Sequence, residues 1–135
     1  MNEATDIARW IVQSLQGAGA PTYNTTAPAS APDTYILFSR QGGFDAPSFG
    51  AGPRVAAFTY LIRATGRTND TTALEGLASN IDILLEKAVA PATSTDLGLN
   101  ILGVLREQPF EMVEVVDGVV YRHLGGIYTI RAQEA

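Results

Sequence analysis

The chain has 135 residues, of which 46% are apolar and 17% are charged, a balance that predicts one folded domain over residues 1–135 rather than a disordered segment. Nine basic and fourteen acidic side chains give a formal net charge of −5, which argues against the basic patch of a compact nucleic-acid-binding protein. The absence of cysteine and the presence of one histidine exclude disulfides, a thiolate nucleophile and a Cys- or His-rich metal site. No apolar run is long enough for a membrane-spanning helix, and no cofactor is expected.

The N-terminal segment is predicted to form an amphipathic helix, which Gly17 is placed to end. Residues 17–33 hold three prolines and many small residues, which exclude a helix or a central strand. Residues 35–38 are rich in β-branched and aromatic side chains and are predicted to form a short strand. The apolar positions of the helix recur at the spacing of one helical face: Ala4, Ile7, Ala8, Ile11 and Leu15.

Residues 40–53 are predicted to form a flexible loop, because four glycines and two prolines interrupt any regular pattern. Phe44 and Phe49 lie in this loop without a periodicity that would bury them. Two exposed phenylalanines favour a partner-binding arm that becomes ordered on assembly. The alternative is that both side chains fold back onto the core of their own chain.

Residues 54–66 give the clearest strand signal, with Arg63 on the face opposite the stronger core face. A second helix is predicted after the capping box formed by Thr72 and Glu75. Residues 99–106 are predicted to form a strand that is broken at Gly103. The apolar side chains that repeat along the second helix are Leu74, Leu77, Ala78, Ile81, Leu84, Leu85 and Ala88.

The dipeptide Asp117-Gly118 between two β-rich runs predicts a hairpin with a type I′ turn. A two-residue turn fixes the cross-strand partners, which run from Val116 with Val119 to Met112 with His123. Neither face of this hairpin is cleanly polar, so a second subunit is expected to cover one of them. The alternative is a long hairpin with exposed valines, and Gly125-Gly126 is expected to form a bulge or bend.

These elements together predict an α+β fold. We expect a mostly antiparallel sheet of about four to five strands with two helices packed on one face.

The sequence offers little equipment for catalysis, so we expect no enzyme. His123 is the one imidazole, and no nucleophile motif surrounds it. On the predicted hairpin it lies diagonal to Glu114, which favours a structural or interface histidine. The carboxyls of Glu111 and Glu114 fall on opposite faces of a strand, which argues against a paired-carboxylate site.

The order of elements resembles the tail terminator (tail completion) proteins of long-tailed bacteriophages. The resemblance rests on a leading amphipathic helix, a Pro-rich loop into residues 35–38, a long strand at 58–64, a helix at 74–87 and a closing hairpin that ends in residues 126–132. It covers nearly the whole chain, although the loop at 40–53 is longer and richer in glycine than the family pattern.

The resemblance implies a structural virion protein that forms a homohexameric ring at the head-proximal end of the tail, after assembly in the host cytoplasm. Such a ring caps the tail-tube protein, stops tube polymerisation and meets a head-side connector or stopper protein. DNA passes through the lumen without specific binding. Six copies would carry a formal charge of −30, six times −5, and a negative lumen would repel phosphate.

Five residues are predicted to contact other subunits or partners: Phe44, Phe49, Arg63, Glu111 and Arg122. The two phenylalanines would anchor the loop, and the charged residues would form intersubunit ion pairs from the second face of the sheet. Two alternatives remain open. One is another neck or tail component (a head–tail connector, stopper or tail-tube subunit), and the other is a dimeric α+β domain that binds a small molecule.

Overall fold

The computed structural model describes the backbone of residues 3–46, 55–67, 71–89 and 99–134. The strands lie in the order β1-β2-β3-β5-β4, with β1 and β2 parallel and the other neighbours antiparallel. The elements in chain order are α1 (Glu3–Ser14), β1 (Thr22–Asn24), β2 (Thr34–Ala46), β3 (Val55–Gly66), α2 (Thr71–Ala88), β4 (Leu99–Val116) and β5 (Val119–Glu134).

Both helices pack on one face of this five-stranded sheet, which confirms the predicted α+β fold. The helical spacing of the apolar residues places them on the buried side of each helix. Each large aliphatic side chain removed from water here stabilises the fold by about 1.5–3 kcal/mol before entropy is counted. The largest fully buried apolar side chains are Phe38, Ile7, Ile11, Leu15, Ile36, Ile62, Leu74, Ile81, Leu85 and Ile130.

The helix boundaries differ slightly from the predictions. The first helix ends at Ser14, and the glycine with a left-handed backbone is Gly19 (φ +98°) rather than Gly17. The second helix begins at Thr71, one residue before the predicted cap at Thr72. Its predicted apolar face is correct, because Leu74 and its helical repeats are buried.

The Pro-rich segment contains a short strand that was not predicted from the sequence. The β1 strand pairs with β2 from Thr22 opposite Ile36 to Asn24 opposite Phe38. Thr25 then leaves the strand with a positive φ of 70°. The β1 strand lies at the edge of the sheet, a position in which a proline directly before the strand, here Pro21, is tolerated.

The prediction of a loop over residues 40–53 is wrong for its first part. The β2 strand continues to Ala46 and pairs with β3, with one register shift between Arg40 and Gly42. Gly43 is required here because a Cβ atom would lie 2.3 Å from the Phe58 ring. Glycine therefore signals close packing here rather than a flexible loop. The rest of the predicted loop lies outside the described residues.

The last two strands form one long ribbon. The β4 strand does not end at Gly103, but the predicted interruption there is confirmed in part, because the ladder shifts register between Ile101 and Gly103. A second shift lies between Arg106 and Gln108. Pro109 is tolerated because β4 is an edge strand of the sheet. Asp117 and Gly118 have φ values of 49° and 79°, as the predicted type I′ turn requires.

The predicted bulge at Gly125-Gly126 is also wrong. The β5 strand runs through both glycines in register with β3 and without a register shift. A Cβ atom on Gly125 would lie 2.1 Å from the Ile62 carbonyl oxygen, and one on Gly126 would lie 2.7 Å from Arg106 Nε. Gly125 is therefore needed for the close approach of the β3 backbone, whereas at Gly126 the neighbour is the flexible Arg106 side chain, and neither glycine forms a bend.

Candidate interaction surface

The sheet has one face covered by helices and one face to which neither described helix packs. We call the second one the open face. Since side chains alternate along a strand, the β3–β5 register places Leu61, Arg63 and Thr65 on it beside Ile127 and His123. Leu61 and Ile127 are half-buried, so this face is neither a sealed core nor a polar solvent face.

The end of the β4–β5 ribbon carries apolar side chains on both faces. We call residues 112–120 the hairpin tip. Val115 and Val120 pair on the helix-bearing face, and Val116 and Val119 pair on the open face. The side chain of Val115 is 65% exposed. The exposed apolar residues of the hairpin tip are Met112, Val113, Val115, Val116, Val119 and Val120.

Exposed apolar side chains concentrated on one segment are typical of an interaction site. The prediction that neither hairpin face is cleanly polar is confirmed by these exposed valines. The predicted pairing from Val116–Val119 to Met112–His123 is confirmed by the register. The hairpin tip is therefore the first candidate for a contact with another subunit.

A polar cluster lies at the base of the hairpin tip, on the open face. His123 is only 3% exposed, and its Nε2 lies 2.7 Å from Glu114 Oε1. Arg63 Nε donates to His123 Nδ1 over 3.1 Å, and Thr65 Oγ1 lies 3.0 Å from the same nitrogen. The prediction that Glu114 lies within reach of His123 is therefore confirmed.

Burial is the main cause that lowers the pKa of His123 below its usual 6.5. The hydrogen bond to Glu114 opposes this shift, and the nearby Arg63 guanidinium adds to it. Burial likewise lowers the pKa of Arg63, against the attraction of Glu114. An imidazole with both ring nitrogens hydrogen-bonded can transmit a protonation change to its neighbours.

Aromatic and basic side chains continue this cluster towards the Pro-rich segment. The Arg67 guanidinium lies 5.9 Å from the centre of the Tyr121 ring and 3.2 Å from Asp33 Oδ1. A concavity of about 240 Å³ is lined by Arg67 and Tyr121 together with Tyr35, Glu114 and Val116. The Pro-rich segment therefore forms one wall of a surface that the hairpin tip continues.

A second polar cluster lies on the helix-bearing face and joins α2 to the sheet. The Tyr128 hydroxyl donates to Asp82 Oδ1, and Arg106 Nη1 lies 2.9 Å from Asp82 Oδ2. Burial and the Asp82 carboxylate raise the pKa of Tyr128. These residues were not predicted to interact. The available signal was an acidic residue directly after the core position Ile81 on the second helix.

The predicted interface residues do not share one face. Arg63 lies on the open face opposite Gly125, whereas Arg122 and Glu111 lie on the helix-bearing face with Leu124. Their grouping on one face is therefore wrong. The expected bulge at Gly125-Gly126 would have shifted the alternation of β5 by one residue, and no such bulge forms.

Their surroundings also differ. Glu111 is exposed, whereas Arg122 is half-buried with its Nε buried and without a hydrogen-bond partner among the described residues. Phe44 lies in β2 opposite Ala57, but its side chain and the whole of Phe49 lie outside the described residues.

Within the described ranges, no group of three or more His, Asp or Glu side chains is placed to hold a metal ion. The two helices described are too short or too polar to cross a membrane.

Comparison with known proteins yields a likeness of fold. No protein-family model matches the sequence, and a search of curated proteins returns no match. Among solved structures, the chain is similar to a chain of the virion of a native gene transfer agent (GTA) particle, with a TM-score of 0.54 and 15% sequence identity. The alignment covers 91% of this chain and 84% of that one. The α+β fold of this protein is therefore one that also occurs in a virion particle.

Proposed function

We propose that this protein is a structural component of a phage-like virion and acts as a tail terminator. In this role several copies, six by the family resemblance, form a ring on the head-proximal end of the tail tube. The ring stops tube polymerisation and presents its other side to a head-side connector. It performs no chemistry, and DNA passes through its lumen.

The fold supports the virion part of this proposal. The alignment with a chain of a gene transfer agent virion runs over most of both chains, so it includes the sheet and the helices rather than one shared motif. Because the sequence identity is 15%, this similarity concerns the architecture alone. The proposed role as a terminator therefore rests on the surface of this chain.

The observation that carries the proposal is the hairpin tip. Apolar side chains stand on both of its faces, from Val115 on one side to Val116 on the other, at the free end of a two-stranded ribbon. Exposed apolar side chains on both faces of a ribbon are typical of a surface that another molecule covers. A ring of identical subunits would supply that cover at every position, because each copy gives its tip to the next.

In such a ring, the charged residues that we propose as interface contacts lie on two different faces of the sheet. Glu111 and Arg122 lie beside the hairpin tip on the helix-bearing face, and Arg63 lies behind it on the open face. Phe44, near the end of β2, and Phe49, which follows it in the sequence, remain proposed contacts. The acidic net charge of −5 per copy fits a conduit that repels DNA phosphate, and a ring with a basic inner wall would contradict that part.

The test is the solution mass by light scattering together with negative-stain images, with and without a candidate tail-tube protein. We expect rings of about six copies, or caps on tube ends. A protein that neither forms rings nor binds tube ends overturns the proposal. Rings that stack into tubes unaided indicate a tail-tube subunit instead.

Two matched variants locate the contact. Val115→Lys places a charge on the hairpin tip, and Ile83→Lys places one on α2, where Ile83 is 50% exposed. We expect the first to abolish rings and capping and the second to preserve both, with both variants folded by circular dichroism. Equal assembly by the two variants would show that the hairpin tip is not the interface.

The alternative function, a dimeric domain that binds a small molecule, predicts a different result in the same experiment. A groove of about 550 Å³ lies between the end of α1 and the start of α2, lined by Ala18, Pro21, Leu77 and Asn80 among others. None of the described residues that line it is charged. A tight dimer whose mass is independent of concentration, with no affinity for tube ends, would favour that reading.

A further inference from the structure

The single histidine of this chain is buried at the point where the hairpin tip leaves the rest of the sheet. His123 on β5 is faced by Arg63 and Thr65 from β3 and by Glu114 from β4. Tyr35 on β2 interacts electrostatically with both Glu114 and Arg63. It also interacts with Tyr121 on β5 and with Arg67 after β3, whose guanidinium lies against the Tyr121 ring. The helices pack on the other face, so these groups form the electrostatic surroundings of the imidazole among the described residues.

The geometry fixes which ring nitrogen carries the proton. The Nε–H of arginine can donate a hydrogen bond and cannot accept one. Because Arg63 Nε donates to His123 Nδ1, that nitrogen must hold a lone pair. The neutral ring therefore carries its proton on Nε2, which donates to Glu114 Oε1 at 2.7 Å.

Protonation changes one of these contacts and leaves the other in place. The new proton must go to Nδ1, which lies about 3 Å from Arg63 Nε. Two N–H donors, each on a positively charged group, then face each other, and this arrangement is repulsive. The contact from Nε2 to the Glu114 carboxylate becomes an ion pair and strengthens. Thr65 can respond, since its hydroxyl is able to donate to a bare Nδ1 and to accept from a protonated one.

We propose that His123 is a proton-operated latch for Arg63. The neutral imidazole holds the guanidinium against the base of the hairpin tip. The imidazolium exchanges Arg63 for Thr65 as the partner of Nδ1 and releases the guanidinium onto the open face.

Release of the Arg63 guanidinium removes an unfavourable burial of one of its nitrogens. With His123 neutral, Arg63 Nη1 is buried and has no hydrogen-bond partner among the described residues. A buried, unsatisfied donor on a charged group destabilises the fold. Release would let it reach solvent or a partner. Each chain would also gain one positive charge beside the hairpin tip, so acidic conditions would change the electrostatics of whatever covers the open face.

Nitrogen-15 NMR of the single histidine tests this directly, because one imidazole gives one unambiguous set of signals. At pH 7.5 we expect the shifts of a neutral ring protonated on Nε2, and a titration midpoint below 6.5, its usual value. A ring protonated on Nδ1 at neutral pH would overturn the proposal.

Four variants separate the contributions of the neighbours. Arg63→Met should raise the midpoint by about one pH unit, because a positive neighbour and a competing donor are lost. Glu114→Gln and Thr65→Val should each lower it, because the first removes the carboxylate and the second removes the acceptor of the new proton. Glu111→Gln is the matched control and should leave it unchanged, since Glu111 is an exposed carboxylate on the other face of the same strand.

The release of Arg63 is measured on the NMR signal of its own side chain. The Nε–H signal of Arg63 should be protected from solvent exchange above the His123 midpoint and should lose that protection with the same midpoint below it. A midpoint that Arg63→Met leaves unchanged or lowers, or an Arg63 signal that does not follow His123, contradicts the latch. If Arg63→Met does not fold, Thr65→Val and the Arg63 exchange profile decide the matter.

Discussion

The two ends of the β4–β5 ribbon behave differently, although they are one continuous pair of strands. Where the ribbon lies under the helices, Tyr128, Ile130 and Ala132 are buried on one face. Beyond the helices, Val113, Val115 and their neighbours remain exposed. The same β-rich composition thus forms a core in one region and a candidate interface in the other. The difference comes from what packs against the ribbon and not from the ribbon itself.

The largest expected effect is a core truncation that tests the first region. Ile130→Ala removes a fully buried side chain from β5 and should lower the free energy of unfolding by about 2–5 kcal/mol, because a cavity remains. Val115→Ala on the same ribbon should change it by less than about 0.5 kcal/mol in the monomer. Urea unfolding of both variants measures the contrast, and equal losses would show that the hairpin tip is packed within its own chain.

A smaller effect is expected where α2 meets the ribbon. Tyr128→Phe removes the hydroxyl that donates to Asp82 and should cost about 1–2 kcal/mol, since Asp82 keeps its contact with Arg106. A double-mutant cycle with Asp82→Asn, measured by urea unfolding, should show positive coupling between the two positions. Purely additive losses would contradict a direct hydrogen bond.

The dependence of the unfolding free energy on pH tests the buried His123 at the base of the hairpin tip. Because the pKa of His123 is lowered in the folded state, the unfolded chain binds more protons near and below pH 6.5. Stability from this residue is therefore complete above about 6.5 and is lost as pH falls through that value to the lower folded pKa. His123→Gln should show a flatter dependence of the unfolding free energy between about pH 7.5 and 5.5, and an unchanged slope would contradict this.

The smallest expected effect on folding concerns an exposed carboxylate of the hairpin, that of Glu111. Glu111→Gln should change the unfolding free energy by less than about 0.5 kcal/mol, because Glu111 is exposed. Its effect on assembly should be larger if it forms an intersubunit ion pair, and light scattering at low and high salt would show this as a lost salt dependence. A variant that assembles with the wild-type salt dependence would remove Glu111 from the interface.

Local patterns predicted much of this protein. The helical spacing from Leu74 to Leu85, the strand at Val55–Gly66 and the turn at Asp117-Gly118 each follow from neighbouring residues alone, because side-chain period and turn chemistry are local. The hairpin register then follows from the turn, and that register is enough to bring Glu114 close to His123.

The tertiary structure decided the features that depend on distant neighbours. Gly43, Gly125 and Gly126 look like loop or bulge signals in the sequence, but each makes room for a side chain or carbonyl from another strand. The contacts of Arg63 with His123 and of Asp82 with Tyr128 join residues 60 and 46 positions apart. Sequence alone set the period of each element. Only packing of one element on another decided which apolar surface became core, which stayed open, and which charges met.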